Sequence, residues 1–371
     1  MDQKPIFITK PFLPPLEEFI PYLEQLWQSR VLTNGGAFHR ELEEALARFL
    51  GVPFVALFNN GTNALLTAVQ ALDLTGEVIT TPYSFVATAH SLLWNQLEPV
   101  FVDVDPDTLN MDPERIEVAI TERTTAIMPV HCYGHPCDTA AIAKIAVKHG
   151  LKIIYDAAHA FAVNDVGGSV LRHGDLSVLS FHATKVFNTF EGGAIICGDA
   201  EMKAKIDQLK NFGITGECEV FAAGSNGKMN EFSAALGLLQ LKYFGVAVDG
   251  RRAVDARYRE RLNEVEGVRP LEPAGNTVAN YSYFPVLIGA DYALSRDALF
   301  ERLKQHRVAT RRYFYPLISE FAPYRHLRSS GRNHLPMATR AAEQVLCLPI
   351  YPDLPMSEID RICDIIQAGG C

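Results

Sequence analysis

The 371-residue sequence predicts an α/β fold with a large domain on a mixed, mostly parallel sheet flanked by helices, followed by a smaller C-terminal α+β domain. Three observations predict it. The chain exceeds the usual size of one compact core, short apolar runs alternate with helical segments, and this pattern changes near Gly245. We therefore assign residues 1–245 to the large domain and residues 246–371 to the small one.

The first elements are two helices. Residues 16–30 and 38–50 carry apolar side chains at three- and four-residue spacing, which is typical of amphipathic helices. The Thr-Asn-Gly-Gly sequence at residues 33–36 separates them.

Seven short apolar runs rich in Val, Ile and Phe follow and predict the strands of the sheet. They cover residues 53–58, 78–81, 99–104, 126–130, 152–155, 178–181 and 194–197. Unbroken apolar runs are typical of parallel strands that are buried on both faces. Ligands of such sheets bind at the carboxyl ends of the strands, so we expect the residues that carry the chemistry there.

The pattern beyond Gly245 predicts the smaller domain. Residues 248–265 predict a long charged helix, residues 281–288 form another apolar segment, and further helices follow.

Composition and charge restrict the partners. The chain has 34 Lys and Arg against 43 Asp and Glu, a net charge of −9, and no run of basic residues, which argues against nucleic acid or an anionic membrane as a partner. Seven irregularly spaced cysteines indicate reduced thiols and a cytoplasmic protein. We expect neither a signal peptide in residues 1–10 nor a membrane span.

Lys185 lies in a polar turn directly after the predicted strand 178–181, in the segment SFHATKVFNTFEGG. A lysine at this place attacks a carbonyl if its surroundings lower the pKa of its ammonium group. Position alone favours an ordinary solvated lysine, so two further segments decide the prediction.

Asp156 ends the strand that begins at Lys152. A carboxylate there pairs with the protonated pyridine nitrogen of pyridoxal phosphate, whose ring then accepts electrons from the amino carbon. A helix N-cap is the alternative. Residues 59–64 (NNGTNA) form a turn before a helix, where Gly61 admits a phosphate close to the backbone; a simple turn is the alternative.

Together these segments resemble the DegT/StrS-type sugar aminotransferases, which are fold-type I pyridoxal-phosphate enzymes. The resemblance runs over most of the chain. It is carried by NGTNAL at residues 60–65, TPYSFVAT at 81–88, PVHCYG at 129–134, DAAH at 156–159, SFHATK at 180–185 and EGG at 191–193. The last two blocks are the most specific.

The resemblance implies a role for each matching residue. Lys185 would be joined to the cofactor's aldehyde and, once freed by substrate, would move the proton between the amino carbon and the cofactor. Asp156 would pair with the pyridinium. The other implied cofactor-binding residues are Gly61, Thr62 and Ser180 at the phosphate, Phe85 stacked on the ring, His159 near the ring hydroxyl, and Asn226 reaching the phosphate of the neighbouring subunit. By itself, Phe85 would be read as a core residue.

The resemblance also implies a homodimer with active sites at the subunit interface, and L-glutamate and a nucleotide-linked keto sugar as substrates. The SFHATKVFNT stretch most resembles enzymes that make a dTDP-4-amino-4,6-dideoxyhexose from dTDP-4-keto-6-deoxy-D-glucose for lipopolysaccharide, O-antigen or related glycan synthesis. Action on a 3-keto sugar, a UDP or GDP sugar, or a cyclitol stays open, whereas a dehydratase of this fold would carry His in place of Lys185.

Three further features of the sequence allow other interpretations. Residues 131–137 (HCYGHPC) resemble a metal cluster, but they follow a strand and the family has a metal-free turn here, so we predict no metal. Residues 311–316 (RRYFYP) either contact the sugar or its diphosphate or form an exposed loop. A cofactor-binding regulator without turnover is the alternative of another class, and the acidic balance argues against it.

Overall fold

The computed structural model describes residues 4–273 and 275–370. Within these ranges the α-helices are α1 (Leu16–Ser29), α2 (Ala37–Leu50), α3 (Gly61–Ala71), α4 (Ala87–Trp94), α5 (Pro113–Ala119), α6 (Thr139–His149), α7 (Ala200–Leu209), α8 (Glu231–Leu262), α9 (Arg296–Gln305), α10 (Pro336–Gln344) and α11 (Met356–Gln367). The strands are β1 (Phe54–Phe58), β2 (Glu77–Thr80), β3 (Glu98–Phe101), β4 (Thr124–Met128), β5 (Lys152–Asp156), β6 (Asn164–Asp165), β7 (Gly168–Ser169), β8 (Leu176–Ser180), β9 (Gly193–Cys197), β10 (Ile214–Gly216), β11 (Glu219–Val220), β12 (Val268–Pro270), β13 (Phe284–Ile288) and β14 (Val345–Leu348).

The central sheet has seven strands in the order β1-β9-β8-β5-β4-β2-β3. Strand β9 runs antiparallel to β1 and β8, and the other neighbouring strands pair in parallel. The predicted mixed, mostly parallel sheet is therefore confirmed. All seven predicted apolar runs supply its strands, with no end shifted by more than three residues.

The direction of the strands brings three chain segments to one edge of the sheet. Because β5 is parallel to β8, and β1 and β8 are both antiparallel to β9, the three strands β1, β5 and β8 run the same way. Their last residues, Phe58, Asp156 and Ser180, therefore lie at the same edge. Helix α3 begins directly after β1, so its N-terminus also faces this edge.

Helices α1 and α2 match the two predicted at the N-terminus. They are amphipathic, and α2 buries Leu42 and Leu46 in a core that it shares with Leu239 of α8. This core covers the β1 and β9 end of the sheet through Val55 and Ile196.

The second sheet consists of β12, β13 and β14 in antiparallel order. It packs with α9 and α11 around a separate core, to which α8 contributes Val254, Tyr258 and Leu262. Ile6, near the start of the chain, is also part of this core and forms a parallel β-bridge with Val308. This sheet with its helices is the smaller α+β unit expected from the sequence.

Helix α8 links the two cores. It begins at Glu231, well before the predicted start at residue 248, and Asn230 caps it by accepting a hydrogen bond from the Ser233 N–H. The early half was missed because it buries apolar side chains on several sides, as Ala234, Leu236 and Leu239 show, and so lacks a single apolar stripe. The helix passes through residue 245, so the division there stays a prediction.

Among the residues that the structure describes, none of the helices is long and apolar enough to cross a membrane.

Candidate active site

A cavity of about 290 Å³ opens at the edge where β1, β5 and β8 end. Its lining includes seven of the eight residues predicted from the sequence: Gly61, Thr62, Phe85, Asp156, His159, Ser180 and Lys185. The structure therefore brings together side chains that are up to 124 positions apart, Gly61 and Lys185 being the most distant pair.

The N-terminus of α3 forms one wall of the cavity. Asn60 caps the helix, because its Oδ1 accepts a 2.7 Å hydrogen bond from the Asn63 N–H. The first N–H groups of a helix have no partner within it and carry its positive end, so those of Gly61 and Thr62 suit a phosphate. Ser180 lies close by.

Two glycines allow this wall to form. A Cβ on Gly61 would lie 3.0 Å from Cβ of Ser180, and a Cβ on Gly193 would lie 2.7 Å from the Gly61 nitrogen. A Cβ on Gly193 would force the backbone of Asn60 and Gly61 to move, and a Cβ on Gly61 would require Ser180 to shift by a few tenths of an ångström. The glycines therefore set the close approach of α3 to strands β8 and β9.

Asp156 is buried at the end of β5, with 5% of its surface exposed. Its Oδ2 accepts a 2.8 Å hydrogen bond from Thr88 Oγ1, and its Oδ1 accepts one of 3.1 Å from the Ala158 N–H. Burial raises the pKa of the carboxyl group, although these bonds and Lys185 oppose it. Such a carboxylate is stabilised by a cationic N–H in the cavity, as a pyridinium would supply.

The residues after Asp156 form a turn rather than a helix, so the alternative interpretation as a helix N-cap is wrong.

Lys185 lies in the turn between β8 and β9, where its N–H donates to the His182 carbonyl at 2.9 Å. Burial lowers the pKa of its ammonium group to about 8, although Asp156 opposes the shift. Its Nζ donates a hydrogen bond to Tyr283 Oη at 3.3 Å. The alternative of an ordinary solvated lysine is therefore wrong, and an appreciable fraction of the amine is neutral near pH 7.

His159 is held neutral. Burial lowers the pKa of its imidazole well below the usual value, and Lys185 lowers it further. Its Nδ1 accepts a 3.2 Å hydrogen bond from the Tyr133 N–H, which assigns the ring proton to Nε2. His159 therefore has an N–H to offer to an oxygen of a ligand.

Phe85 and Asn226 differ in their placement. The Phe85 side chain lines the cavity and is 60% exposed, so the interpretation as a core residue is wrong, and a flat ligand ring would cover it. Asn226 is exposed and does not line the cavity of its own chain. Its carbonyl accepts a hydrogen bond from Asn59 Nδ2 at 3.1 Å, behind the turn that leads to α3.

The sequence analysis assigned no site role to Tyr283 or Thr88, and it left residues 311–316 open between a contact with the sugar and an exposed loop. Tyr283, Tyr313 and Phe314 come from the C-terminal part of the chain and line the cavity opposite α3. Thr88, on α4, holds Asp156. The signal that could have found the aromatic residues is their density around residues 281–283 and 313–315, just before or after apolar segments.

Residues 131–137 and 311–316, for which the sequence allowed other interpretations, make defined contacts in the structure. In the turn 131–137, His131 Nδ1 accepts a 3.0 Å hydrogen bond from the Cys137 N–H. Over residues 4–273 and 275–370, no group of three or more His, Cys, Asp or Glu side chains is arranged to hold a metal ion. In the segment 311–316, Arg312 pairs with Asp297 at 2.8 Å, while Tyr313 and Phe314 line the cavity.

The fold and the site define a class of protein. A mostly parallel sheet that brings a lysine of lowered pKa, a buried carboxylate and a helix N-terminus to one cavity is the arrangement of fold-type I pyridoxal-phosphate enzymes. The residues present fit this cofactor, with an amine for its aldehyde, an anion for its ring nitrogen and N–H groups for its phosphate.

Comparison with known proteins identifies the family. The sequence profile of the DegT/DnrJ/EryC1/StrS aminotransferase family matches residues 16–367. The chain therefore belongs to this family, and the resemblance seen in the sequence is confirmed. It is an aminotransferase, and pyridoxal 5'-phosphate is its cofactor.

Similar proteins extend over the whole chain. A protein of Shigella dysenteriae named dTDP-4-amino-4,6-dideoxy-D-glucose transaminase is 58% identical over 365 residues, which are 98% of this chain and 99% of that protein. One of Escherichia coli with the same name is 52% identical over 367 residues, or 99% of each. The structure of DesI with its TDP-sugar product has a TM-score of 0.94 at 38% identity, covering 99% of this chain and 93% of that one.

Proposed function

We propose that this aminotransferase moves an amino group from L-glutamate to dTDP-4-keto-6-deoxy-D-glucose, and so forms a dTDP-4-amino-4,6-dideoxyhexose. The observation that carries the proposal is the meeting of Lys185 and Asp156 in one cavity with the N-terminus of α3. The names of the Shigella and E. coli relatives support the nucleotide and the carbon that is aminated.

Each of the seven predicted residues that line the cavity has a task in this proposal. When bound, pyridoxal phosphate supplies an aldehyde that receives the amino group and a ring that accepts electrons from the amino carbon. Lys185 Nζ moves the proton between the amino carbon and the cofactor, because its pKa of about 8 allows it both to take and to give a proton near neutral pH.

The remaining residues bind and orient the cofactor. Asp156 accepts the hydrogen bond of the ring N–H and keeps it protonated. The N–H groups and hydroxyls of Gly61, Thr62 and Ser180 hold the phosphate, and the Phe85 ring covers one face of the cofactor ring. His159 donates from Nε2 to the ring oxygen.

The active unit in this proposal is a homodimer. Phe190 and Phe232 stack on each other with centroids 5.4 Å apart, yet both are more than a third exposed. Phe190 precedes Glu191, which lines the cavity. Exposed aromatic groups beside a cavity are typical of a protein interface, and a second copy seated there would bring its own Asn226 toward the phosphate.

The same proposal places the enzyme in the cytoplasm. The seven cysteines support a reducing compartment, since the described ones are free thiols and most of them are buried. A dTDP-linked amino sugar would serve as a donor for surface polysaccharide such as the O-antigen of lipopolysaccharide.

The experiment that tests the function supplies the purified, cofactor-loaded protein with L-glutamate and a panel of nucleotide-linked keto sugars. The panel contains dTDP, UDP and GDP sugars with the keto group at C3 or C4, and NMR identifies the product. We expect turnover with the dTDP-4-keto sugar and a 4-amino product. Preference for a 3-keto sugar or another nucleotide would contradict the assigned substrate.

The variant Lys185→Ala tests the chemistry in the same assay. It should abolish turnover while the folded protein still binds the cofactor without a covalent bond. Lys148→Ala is the matched control, because Lys148 is 65% exposed and pairs with Glu117 on the surface. Substantial activity in Lys185→Ala would contradict the proposed role of the lysine.

A further inference from the structure

Tyr283 places its hydroxyl at the amine of Lys185. The residue precedes β13 and comes from the smaller unit, whereas Lys185 belongs to the loop between β8 and β9. The distance from Lys185 Nζ to Tyr283 Oη is 3.3 Å, and the same Nζ lies 5.8 Å from the centroid of the Tyr283 ring. The two parts of the chain therefore meet at the atom to which we assign the proton transfer.

The ring of Tyr283 is fixed by aromatic neighbours on several sides. Its centroid lies 4.8 Å from that of His159 in an edge-to-face contact, 5.7 Å from that of Tyr133 and 5.9 Å from that of Tyr313. Aromatic contacts at these distances are favourable and restrict the ring to one orientation. The position of the hydroxyl is therefore set by the packing rather than by Lys185.

The backbone before Tyr283 is bound to the loop that carries His159. Asn280 donates from Nδ2 to the carbonyl of His159 at 2.8 Å and to that of Phe161 at 2.9 Å. The Ser282 hydroxyl shares its one proton between Asn280 Oδ1 at 2.8 Å and the same His159 carbonyl at 3.0 Å. The segment is thus anchored to one wall of the cavity.

Arg251 holds this segment from the other side. Its guanidinium, on α8, is 2% exposed and donates from Nη1 to the carbonyls of Tyr281 at 3.3 Å, Ser282 at 3.4 Å and Ile350 at 3.2 Å. A buried cation that serves backbone carbonyls is costly to place, and here it fixes the chain immediately before Tyr283. Helix α8 and the loop that carries His159 therefore both fix the segment that positions the Tyr283 hydroxyl.

A phenol hydroxyl suits an amine that alternates between two protonation states. Burial raises the pKa of the Tyr283 phenol, so the hydroxyl stays protonated at neutral pH. Its oxygen accepts a hydrogen bond from an ammonium group, and its O–H donates one to a neutral amine. Lysine has four rotatable side-chain bonds, and a free amine without such a partner would leave the reacting position for part of the time.

We propose that Tyr283 is a positioning residue, which holds the Lys185 amine at the wall of the cavity whenever that amine is not bonded to the cofactor. The inference rests on the role proposed above for Lys185. It predicts that loss of the hydroxyl slows the steps that need a placed amine, and leaves the binding of cofactor and glutamate nearly unchanged.

The test compares Tyr283→Phe with the control Tyr258→Phe. The first change keeps the ring and its contacts and removes only the hydroxyl. Tyr258 is a fully buried tyrosine of the same unit, stacked on Phe284 at 4.7 Å, so its change also removes one buried hydroxyl but away from the cavity. Melting temperatures establish that both variants fold.

The first measurement uses protein without cofactor. Pyridoxal phosphate is added, the covalent attachment to Lys185 is followed by absorbance, and reduction with borohydride followed by peptide mass spectrometry confirms the position. We expect attachment in Tyr283→Phe to be about tenfold slower than in the wild type, the effect of one lost hydrogen bond to the amine. Tyr258→Phe should match the wild type.

The second measurement uses the loaded enzyme and glutamate deuterated at C2. Proton transfer should limit the rate more strongly in Tyr283→Phe, so the primary isotope effect on kcat should rise while KM for glutamate stays within twofold. A variant with merely looser packing would not change this ratio.

The outcomes separate the two proposals. If Tyr283→Phe attaches the cofactor at the wild-type rate with an unchanged isotope effect, the positioning role is overturned. If the wild-type protein carries no cofactor on Lys185 after reduction, the proposed function itself fails.

Discussion

Thr88 donates a 2.8 Å hydrogen bond from its Oγ1 to Oδ2 of Asp156, although the two residues belong to α4 and β5. The Thr88 oxygen in turn accepts a 2.8 Å hydrogen bond from the Ser84 hydroxyl, because its own proton is used on the carboxylate. The carboxylate is therefore oriented by a chain of two hydroxyls that precedes it in the sequence by about seventy residues.

We expect Thr88→Val to weaken cofactor binding about tenfold, because it removes a hydrogen bond to a charged group of the site without changing the side-chain shape. The pKa of the Asp156 carboxyl should rise further, since the Thr88 bond lowers it. Titration of the protein with pyridoxal phosphate, followed by absorbance, gives the dissociation constant. Thr88→Ser keeps the hydroxyl and should bind as the wild type does; equal binding by the Val variant would exclude the orienting role.

The reactivity of Lys185 should depend on pH in a defined range. In protein without cofactor, labelling by an acylating reagent requires the neutral amine, so the rate should rise through pH 8 and then level off. Asp156→Asn removes the negative charge that raises this pKa and should move the curve to lower pH. Peptide mass spectrometry measures the labelling, and Asp353→Asn on the surface is the control. A midpoint at the ordinary lysine value would contradict the assigned burial.

Gly193→Ala should destabilise the protein by about 1–3 kcal/mol and loosen the hold on the cofactor phosphate. The added Cβ would meet the backbone of Asn60 and Gly61 at 2.7 Å, and backbone atoms cannot move aside cheaply. Gly198→Ala is the matched control in the same part of the chain, because its Cβ would meet nothing within 4 Å. Denaturant unfolding and cofactor titration check both variants, and equal stability of the two would refute this explanation.

Glu43 on α2 forms ion pairs with two lysines, one on α7 and one at the C-terminal end of that helix. Its carboxylate lies 3.0 Å from Lys203 Nζ and 3.3 Å from Lys210 Nζ, and it also accepts the Leu57 N–H at 2.9 Å. The Lys210 side chain is 6% exposed and also pairs with Asp207 at 2.7 Å, so Glu43→Gln removes one of two carboxylates that serve the buried lysine and should cost about 1–3 kcal/mol. Urea unfolding measures this change in the free energy of unfolding.

The control for this prediction is the neighbouring exposed pair. Glu44 lies 3.7 Å from Arg48, with both side chains at least 70% exposed, so Glu44→Gln should change the free energy of unfolding by less than about 0.5 kcal/mol. If Glu43→Gln lowered the free energy of unfolding no more than Glu44→Gln does, the buried ion pairs of Glu43 would not stabilise the fold.

A mixing experiment tests whether Asn226 serves the neighbouring subunit. Homodimers of Lys185→Ala and of Asn226→Ala should each have low activity. In a mixed dimer, one site combines the intact Lys185 of one chain with the intact Asn226 of the other, so activity should return when the two variants are unfolded and refolded together. If Asn226 acted within its own chain, mixing would restore nothing.

Much of the fold could be predicted because strands buried on both faces leave unbroken apolar runs. Runs such as Ile153, Ile154 and Tyr155 identify the strands, and the alternation with helices predicts parallel pairing. The positions of Asp156 and Lys185 at strand ends then follow from the chain order. Seven of the eight predicted site residues meet in the cavity for this reason.

The missed residues reach the site through tertiary packing. Tyr283 lies in a segment whose local pattern does not distinguish a cavity wall from a core. The pattern of residues 311–316 left a sugar contact and an exposed loop both open, because nothing in the sequence says that the smaller unit folds back over the edge of the sheet. The early half of α8 was missed for a related reason, since a helix buried on several sides has no periodic stripe. The contribution proposed for Asn226 requires a second copy of the chain.

The uninterrupted course of α8 has a consequence for how the molecule comes apart. Its 32 residues form a rod about 48 Å long, with one end in the core beside α2 and the other in the core beside β13. If either core unfolded, the apolar side chains that α8 buries in it would become exposed to water. Helix α8 also packs in the second core, so that core would lose support as well. Calorimetry should accordingly show one heat-absorption peak, and limited proteolysis should not release a stable fragment at residue 245.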